Sequence, residues 1–139
     1  MPRWAWIMVA ALSSCSAPEN RLPEEYRRLA VPVERLQSAS ARLAGKRLFV
    51  EHCALCHGER GDGRGRRSLS PPAADFTARS WRAGATPAWV FYRIREGVPG
   101  TAMPSWRVLS EEACWDLAAY VLSAGEREPD RRRIGGGGE

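Results

Sequence analysis

The spacing of apolar positions in the middle of the chain predicts a first helix over residues 41–53. Gly45, Phe49 and Cys53 recur every four residues and therefore share one face of that helix. A glycine in a helix interior costs up to about 1 kcal/mol relative to alanine. Its presence on the apolar face is best explained by close approach of another helix.

Two further helices follow, each with its own start signal. Thr86 and Pro87 form an N-cap followed by a first-turn proline, and the apolar face of that helix runs to a stop at Gly97. The third helix begins at Ser110 and is expected to end at Gly125. The inward positions of the two helices are Val90, Phe91, Ile94, Cys114, Leu117, Ala118 and Val121. Three main helices joined by loops rich in glycine and proline predict an all-α fold.

The flanking segments predict an exported, anchored protein with one folded domain over residues 40–125. Residues 1–14 contain Arg3 followed by a short apolar run. Because this run is much shorter than the about 20 residues needed to cross a bilayer, it indicates an export signal. Cys15 follows as in bacterial lipoprotein signals, where that thiol is acylated; the alternative is a plain secretory signal with an incidental cysteine. Residues 15–39 predict a polar tether with one short helical turn, and residues 126–139 predict a disordered tail.

The stretch Cys53-Ala54-Leu55-Cys56-His57 carries the chemistry. C-x-x-C-H is the signature of covalent c-type haem attachment, in which both thiols add to the haem as thioethers and the histidine reaches the iron. A redox dithiol or half of a zinc site is the alternative. The remaining cysteines, Cys15 and Cys114, are distant and lack paired spacing, which weighs against zinc.

The residues after the motif predict its surroundings. Four glycines between positions 58 and 65 match neither phosphate-binding pattern and indicate a tight loop beside the haem. The proline-stiffened segment 69–76 is expected to offer a backbone carbonyl to His57, because metal-bound imidazoles usually bond an outer acceptor.

Met103 is the candidate for the second axial position. His52 and Lys46 lie on the attachment helix, and Met1 and Met8 lie in the predicted signal. Met103 lies in a loop between Gly100 and Pro104, long enough to reach around a haem, and thioether ligation raises the reduction potential. The alternatives are a core-filling methionine or an open iron that takes small ligands.

With these residues placed, the chain from 42 to 124 resembles a class I c-type cytochrome of the small bacterial mono-haem kind. The resemblance rests on the following matches: Gly45 and Phe49 before the C-x-x-C-H motif, Gly-Asp-Gly at 61–63, Leu69 to Phe76, Gly97 to Pro104, and Trp115, Leu117 and Tyr120. It implies a cytochrome c fold around one covalent haem c, held by Cys53 and Cys56 and ligated by His57 and Met103. It also implies that Gly45 and Phe49 contact Leu117 and Tyr120, and that the haem is attached outside the cytoplasm.

Charge bears on the partners. The chain carries 21 Lys and Arg against 16 Asp and Glu, a net charge of +5, with the arginines spread through loops and the tail and no nucleic-acid motif beside them. We expect no nucleic-acid partner. Four arginines lie near the predicted haem loop: Arg60, Arg64, Arg66 and Arg67. They suit docking to acidic redox partners; the alternative is that they only form a solvated loop surface. Arg79 and Arg82 are candidates for holding the haem propionates.

Together these features predict an electron-transfer protein rather than an enzyme. It would be a mono-haem cytochrome c, lipid-anchored at Cys15 to a membrane of the bacterial cell envelope and facing the periplasm, that carries single electrons between respiratory partners. The alternatives are a subunit of a larger oxidoreductase complex and a haem-based sensor of small ligands. Cys114 is expected to pack as an apolar side chain near Leu109, with a disulfide to Cys15 as the alternative.

Overall fold

The helices of the protein begin where the sequence supplies a cap or a proline. A computed structural model describes residues 22–126, in which seven α-helices are followed by a single 3₁₀ turn and no strand is present beyond an isolated bridge between Asp62 and Asp75. The helices are α1 Glu24–Arg27, α2 Val33–Gln37, α3 Ala39–His52, α4 Ala54–His57, α5 Arg79–Gly84, α6 Pro87–Glu96 and α7 Glu111–Leu122, and the 3₁₀ turn is Ser123–Glu126. The all-α prediction is confirmed.

The three predicted main helices correspond to α3, α6 and α7, and their starts are capped by hydroxyl side chains. Ser38, Thr86 and Ser110 each accept a hydrogen bond from a backbone N–H in the first turn of the helix that follows. The end of α7 differs from the prediction, since α-helical geometry stops at Leu122 and Gly125 lies in the 3₁₀ turn.

The close contact of α3 with α7 explains the glycine on the apolar face of α3. A Cβ atom at Gly45 would lie 1.9 Å from the backbone carbonyl oxygen of Asp116 and 2.9 Å from Cβ of Tyr120. One turn further along α3, the rings of Phe49 and Tyr120 lie 5.1 Å apart, and Leu117 is fully buried. The helix contact that the family resemblance implies is therefore confirmed.

Helix α6 completes the core by packing on α7. The rings of Phe91 and Trp115 stack 4.1 Å apart with an interplanar angle of 20°. Val90 and Ile94 of α6 are buried beside them, as the apolar pattern predicts. The core thus lies between α3, α6 and α7, and the loops between these helices are left to form the site.

The described part of the predicted polar tether, from residue 22 onward, packs on this domain. Leu22 and Tyr26 are 6% and 7% exposed, as buried as the core of the domain. Arg35 of α2 forms a two-pronged ion pair with Asp116 of α7, with Nε and Nη2 lying 2.8 and 3.0 Å from the two carboxylate oxygens. The segment of mixed charge therefore covers the domain because two of its apolar side chains and one arginine have specific partners there.

The predicted export signal, the lipidation residue Cys15 and the tail from 127 onward lie outside the described residues. Between residues 22 and 126, no helix has both the length and the apolar character needed to cross a bilayer.

Candidate haem site

The C-x-x-C-H motif lies where two helices meet. Helix α3 ends at His52 and α4 begins at Ala54, with Cys53 as the junction residue between them. Within this turn, the backbone N–H of His57 donates to the carbonyl of Cys53 at 2.9 Å. Cys53, Cys56 and His57 all line one cleft on the domain.

The His57 imidazole is held by a carbonyl and by an aromatic ring. Its Nδ1 atom lies 3.2 Å from the carbonyl oxygen of Ala74, and its ring stacks on Phe76 with centroids 4.6 Å apart and an angle of 23°. The prediction that segment 69–76 offers a carbonyl to His57 is confirmed at Ala74. A bond at Nδ1 leaves Nε2 as the atom available to a metal.

Burial keeps this imidazole in the form that ligates iron. Desolvation lowers the pKa of His57, and the hydrogen bond to Ala74 opposes that shift only in part. The neutral imidazole is therefore favoured at pH 7, and only neutral imidazole has a free lone pair for a metal.

The Cys53 thiol does not have the character of a reactive redox thiol. Burial, followed by the proximity of Cys56, raises the pKa of the Cys53 thiol to about 12, whereas reactive C-x-x-C pairs have a lowered pKa. Between residues 22 and 126, no group of three or more His, Cys, Asp or Glu side chains could hold a metal ion. Within that part of the chain, a zinc site at these cysteines would therefore be short of ligands.

The glycine-rich loop packs directly against the motif. A Cβ atom at Gly65 would lie 2.3 Å from the carbonyl oxygens of both Leu55 and Cys56, so only glycine fits there. The backbone N–H of Arg67 donates to the carbonyl of Leu55 at 3.0 Å, and that of Phe76 donates to Gly61 at 2.7 Å. The loop thereby ties α4 to the segment that carries Ala74.

Two adjoining cavities of about 230 and 220 Å³ meet between His57 and Met103. Four residues line both cavities: His57, Ala74, Val98 and Met103. The remaining walls are mostly apolar, and the combined volume falls within the roughly 300–1,000 Å³ typical of cofactor sites. The structure thus brings the two motif cysteines, His57 and Met103 to one cleft.

His52, which the sequence analysis set aside as an axial ligand, lines the first of these cavities. Its ring lies 5.0 Å from that of Trp106, a further residue of the same wall. His52 is therefore the alternative to Met103 that an experiment must test.

Arg93 is the basic residue of the cleft. Of the lysines and arginines between residues 22 and 126, only Arg93 lines either cavity. Its guanidinium lies over the rings of Trp89 and Tyr92, 5.1 and 5.6 Å from their centroids. Arg79 and Arg82, suggested by the sequence for the propionates, line neither cavity, and Arg82 instead donates to the carbonyl of Gly125 at 3.2 Å.

The wall of the second cavity contains residues that the sequence analysis did not assign to the site. Trp81 and Trp89 line it, with Trp81 packed on Phe76 at 4.8 Å between centroids. One signal was available, because Trp89 and Arg93 are four residues apart on a predicted helix and therefore neighbours. The apolar pattern of that helix predicted only the residues that face the core.

Cys114 is packed as an apolar side chain within α7. It is fully buried, and its Sγ lies 3.9 Å from the carbonyl oxygen of Trp106. Burial is also the main cause that raises the pKa of this thiol. The predicted burial of Cys114 is confirmed, whereas its contact with Leu109 stays a prediction and a disulfide with Cys15 involves a residue outside the described range.

The residues present suit a haem. A flat, largely apolar cofactor with two carboxylates matches a mostly apolar cleft with one guanidinium. Two thiols and an imidazole with a free Nε2 lie on one wall, and a thioether borders both cavities. Sites for hard metal cations use carboxylate and carbonyl oxygens in place of thiols, imidazoles and thioethers.

Comparison with known proteins agrees with this chemistry. Residues 40–121 match the family described as cytochrome c oxidase, cbb3-type, subunit III. The chain is 30% identical over 136 residues to the thiosulfate dehydrogenase of Stutzerimonas stutzeri, covering 94% of this chain and 40% of that protein. It is 33% identical over 82 residues to the cbb3-type cytochrome c oxidase subunit FixP of Bradyrhizobium diazoefficiens, covering 58% of this chain and 27% of that one.

A solved structure is similar as well. A chain of the reducing HAO-like protein complex of Kuenenia stuttgartiensis superposes with a TM-score of 0.54 at 33% identity, over 63% of this chain and 44% of that one. This chain thus spans less than half the length of each of these relatives. Taken with the fold and the haem-attachment motif, the match over residues 40–121 means that this chain belongs to the cbb3-type cytochrome c oxidase subunit III family, and its domain is a class I c-type cytochrome that implies haem c.

Proposed function

We propose that this chain is a mono-haem electron carrier anchored in the bacterial cell envelope. Cys53 and Cys56 would hold the haem covalently, and His57 and Met103 would occupy its two axial positions. The observation that carries the proposal is that His57 and Met103 line both adjoining cavities, while the two cysteines line one of them. When bound, the haem supplies a reversible one-electron couple.

The chain's own residues favour electron transfer over substrate chemistry. If His57 and Met103 both held the iron, no position on it would be left for a substrate. The stacked Phe76 and the Ala74 carbonyl hold the imidazole in one orientation, so this side chain would need little rearrangement during electron transfer. A soft thioether at Met103 would raise the reduction potential.

Arg93 is the residue we expect to neutralise a haem propionate. A carboxylate in a largely apolar cleft is costly unless a cation is paired with it. Arg93 is on the wall of the second cavity, and its guanidinium is oriented by two aromatic rings.

Partners and location belong to the same proposal. Acylation of Cys15 would hold the protein at a membrane, since each buried CH₂ of an acyl chain contributes about 0.8 kcal/mol. Four exposed arginines near the attachment motif would dock acidic redox partners: Arg60, Arg64, Arg66 and Arg67. The domain would then face the periplasm.

A second candidate function is a subunit of a larger oxidoreductase. Its support is that the relatives include a subunit of a cbb3-type oxidase and are more than twice the length of this chain. Stable co-purification of an enzyme after detergent extraction would favour the subunit. Binding that is brief and weakened by salt would favour the carrier.

Carbon monoxide binding to the reduced protein tests the axial ligands. We expect the wild type to bind it poorly at neutral pH and the Met103→Ala variant to bind it readily, with a lowered reduction potential. His52→Ala is the matched control, because His52 borders the same cavity; its spectra should stay those of the wild type. Ready binding by the wild type, or an altered spectrum in His52→Ala alone, would contradict ligation by Met103.

A further inference from the structure

The loop that carries Met103 leaves α6 after Glu96 and is tied back to the last turn of that helix at Ser105 and Trp106. The backbone N–H of Trp106 donates to the carbonyl of Ile94 at 3.1 Å, and the Ser105 hydroxyl donates to the carbonyl of Arg95 at 2.6 Å. Inside the loop, the N–H of Val98 donates to the carbonyl of Met103 at 3.1 Å. The position of Met103 therefore depends on what fixes the base of this loop.

A charged pair closes that base. Glu96 is the last residue of α6, and Arg107 directly follows the tied residues Ser105 and Trp106. The two carboxylate oxygens of Glu96 lie 3.0 Å from Nε and 2.6 Å from Nη2 of Arg107, a two-pronged geometry. The Glu96 side chain is only 24% exposed, so the pair is partly shielded from solvent. We call these two residues the loop clamp.

Helix α1 contacts the loop clamp through the hydroxyl of Tyr26. The Tyr26 hydroxyl, on α1, donates to Oε1 of Glu96, 70 positions further along the chain. Tyr26 is 7% exposed, and its ring packs on Tyr92 at 4.8 Å and on Phe91 at 6.3 Å between centroids. Helix α1 thus has a fixed place beside α6 and beside the base of the Met103 loop.

We propose that Tyr26 is a positioning residue for the axial methionine. By bonding Glu96, it holds that carboxylate toward Arg107 and keeps the Met103 loop closed, so the segment that follows the proposed anchor governs access to the iron. A partner or membrane contact that displaced α1 would release the clamp and loosen Met103. The inference rests on the proposed ligation by Met103.

The test is the rate of carbon monoxide binding to the reduced, haem-loaded protein at neutral pH, where Met103 must leave before the gas can bind. Tyr26→Phe keeps the ring and removes only the hydroxyl that donates to Glu96. Glu96→Gln weakens both interactions of the Glu96 side chain, with Tyr26 and with Arg107. We expect each variant to bind about five-fold faster than the wild type, the effect of losing about one hydrogen bond. Arg28→Gln is the control: it breaks an exposed ion pair within α1, to Glu24 at 2.7 Å, leaves the loop clamp intact and should bind at the wild-type rate.

The free energy of unfolding of each variant is measured alongside. Equal rates for the wild type, Tyr26→Phe and Glu96→Gln would overturn this inference while leaving Met103 as a ligand. Equal acceleration in Tyr26→Phe and Arg28→Gln would also overturn it, since general loosening of α1 would then explain the effect. A wild type that binds the gas freely would overturn the proposed ligation and this inference with it.

Discussion

Single side chains prepare the site for its cofactor. The His57 imidazole is stacked on Phe76 and bonded to the Ala74 carbonyl. These two contacts fix its orientation, as the outer partners of metal-binding histidines usually do. The same holds for Arg93, whose guanidinium is fixed over two rings.

Replacement of Arg93 should change the electrochemistry of the cleft. Loss of a cation there favours the oxidised, more positive state, so Arg93→Gln should lower the midpoint potential by about 50 mV, which is roughly 1 kcal/mol for one electron. It should also make the potential vary with pH near neutrality, because a propionate without its cation has a higher pKa. Arg79→Gln, at an exposed position on α5, is the control. Matching potentials and pH profiles for the two variants would remove Arg93 from the site.

Tyr26 should make stability depend on alkaline pH. Burial, and then its bond to Glu96, raises the pKa of Tyr26 to about 12. The stabilising contribution is therefore full below pH 10, where an unfolded tyrosine stays protonated, and is lost as pH rises from 10 to 12. Between pH 9 and pH 11 the wild type should lose about 1 kcal/mol more unfolding free energy than Tyr26→Phe. Parallel denaturant titrations of the two proteins measure this difference, and equal losses would contradict the assigned shift.

The helices α3 and α7 form the contact most sensitive to added volume. A side chain at position 45 would overlap the backbone of Asp116, which cannot turn aside as a flexible side chain could. We expect Gly45→Ala to lower the unfolding free energy by about 2–3 kcal/mol, despite the better helix propensity of alanine. Leu43→Ala, on the exposed face of the same helix, should change it by less than about 0.5 kcal/mol. Thermal or denaturant unfolding of the haem-loaded variants would show the contrast, and a stable Gly45→Ala protein would contradict the observed packing.

An ion pair with a buried carboxylate helps to hold helix α2 on the domain. The Asp116 side chain is only 10% exposed, and it would be left without its guanidinium in Arg35→Ala. We expect a loss of about 2–3 kcal/mol in unfolding free energy. Arg42→Ala breaks a pair whose carboxylate, Glu126, is 66% exposed and should cost below about 1 kcal/mol. Equal losses in the two variants would show that burial of Asp116 does not matter.

Over the whole molecule, the features that depend on local spacing were predictable from the sequence. The caps at Thr86 and Ser110, the helix face with Gly45 and the carbonyl offered to His57 all follow from short-range patterns, and the structure contains them. The docking of residues 22–38 was not predictable, because Tyr26 and Arg35 find their partners 70 and 81 positions away. A proline-containing segment of mixed charge gives no local sign of such distant partners.

The residues that line the cleft also divide into those that the sequence predicts and those that it does not. The motif cysteines and histidine are contiguous in sequence, so their chemistry is visible there. Trp81 and Arg93 join the cleft only because α5 and α6 fold beside the segment that carries Ala74. Arg79 and Arg82 are nearer to the motif in sequence than Arg93 and yet line neither cavity.

The most direct test of the account is the intact mass of protein purified from membranes of cells with a working haem-maturation apparatus, combined with thiol alkylation. We expect one haem covalently attached per chain, acyl chains at Cys15, and no alkylation at Cys53 or Cys56. A colourless protein with two alkylatable thiols at positions 53 and 56 would contradict it.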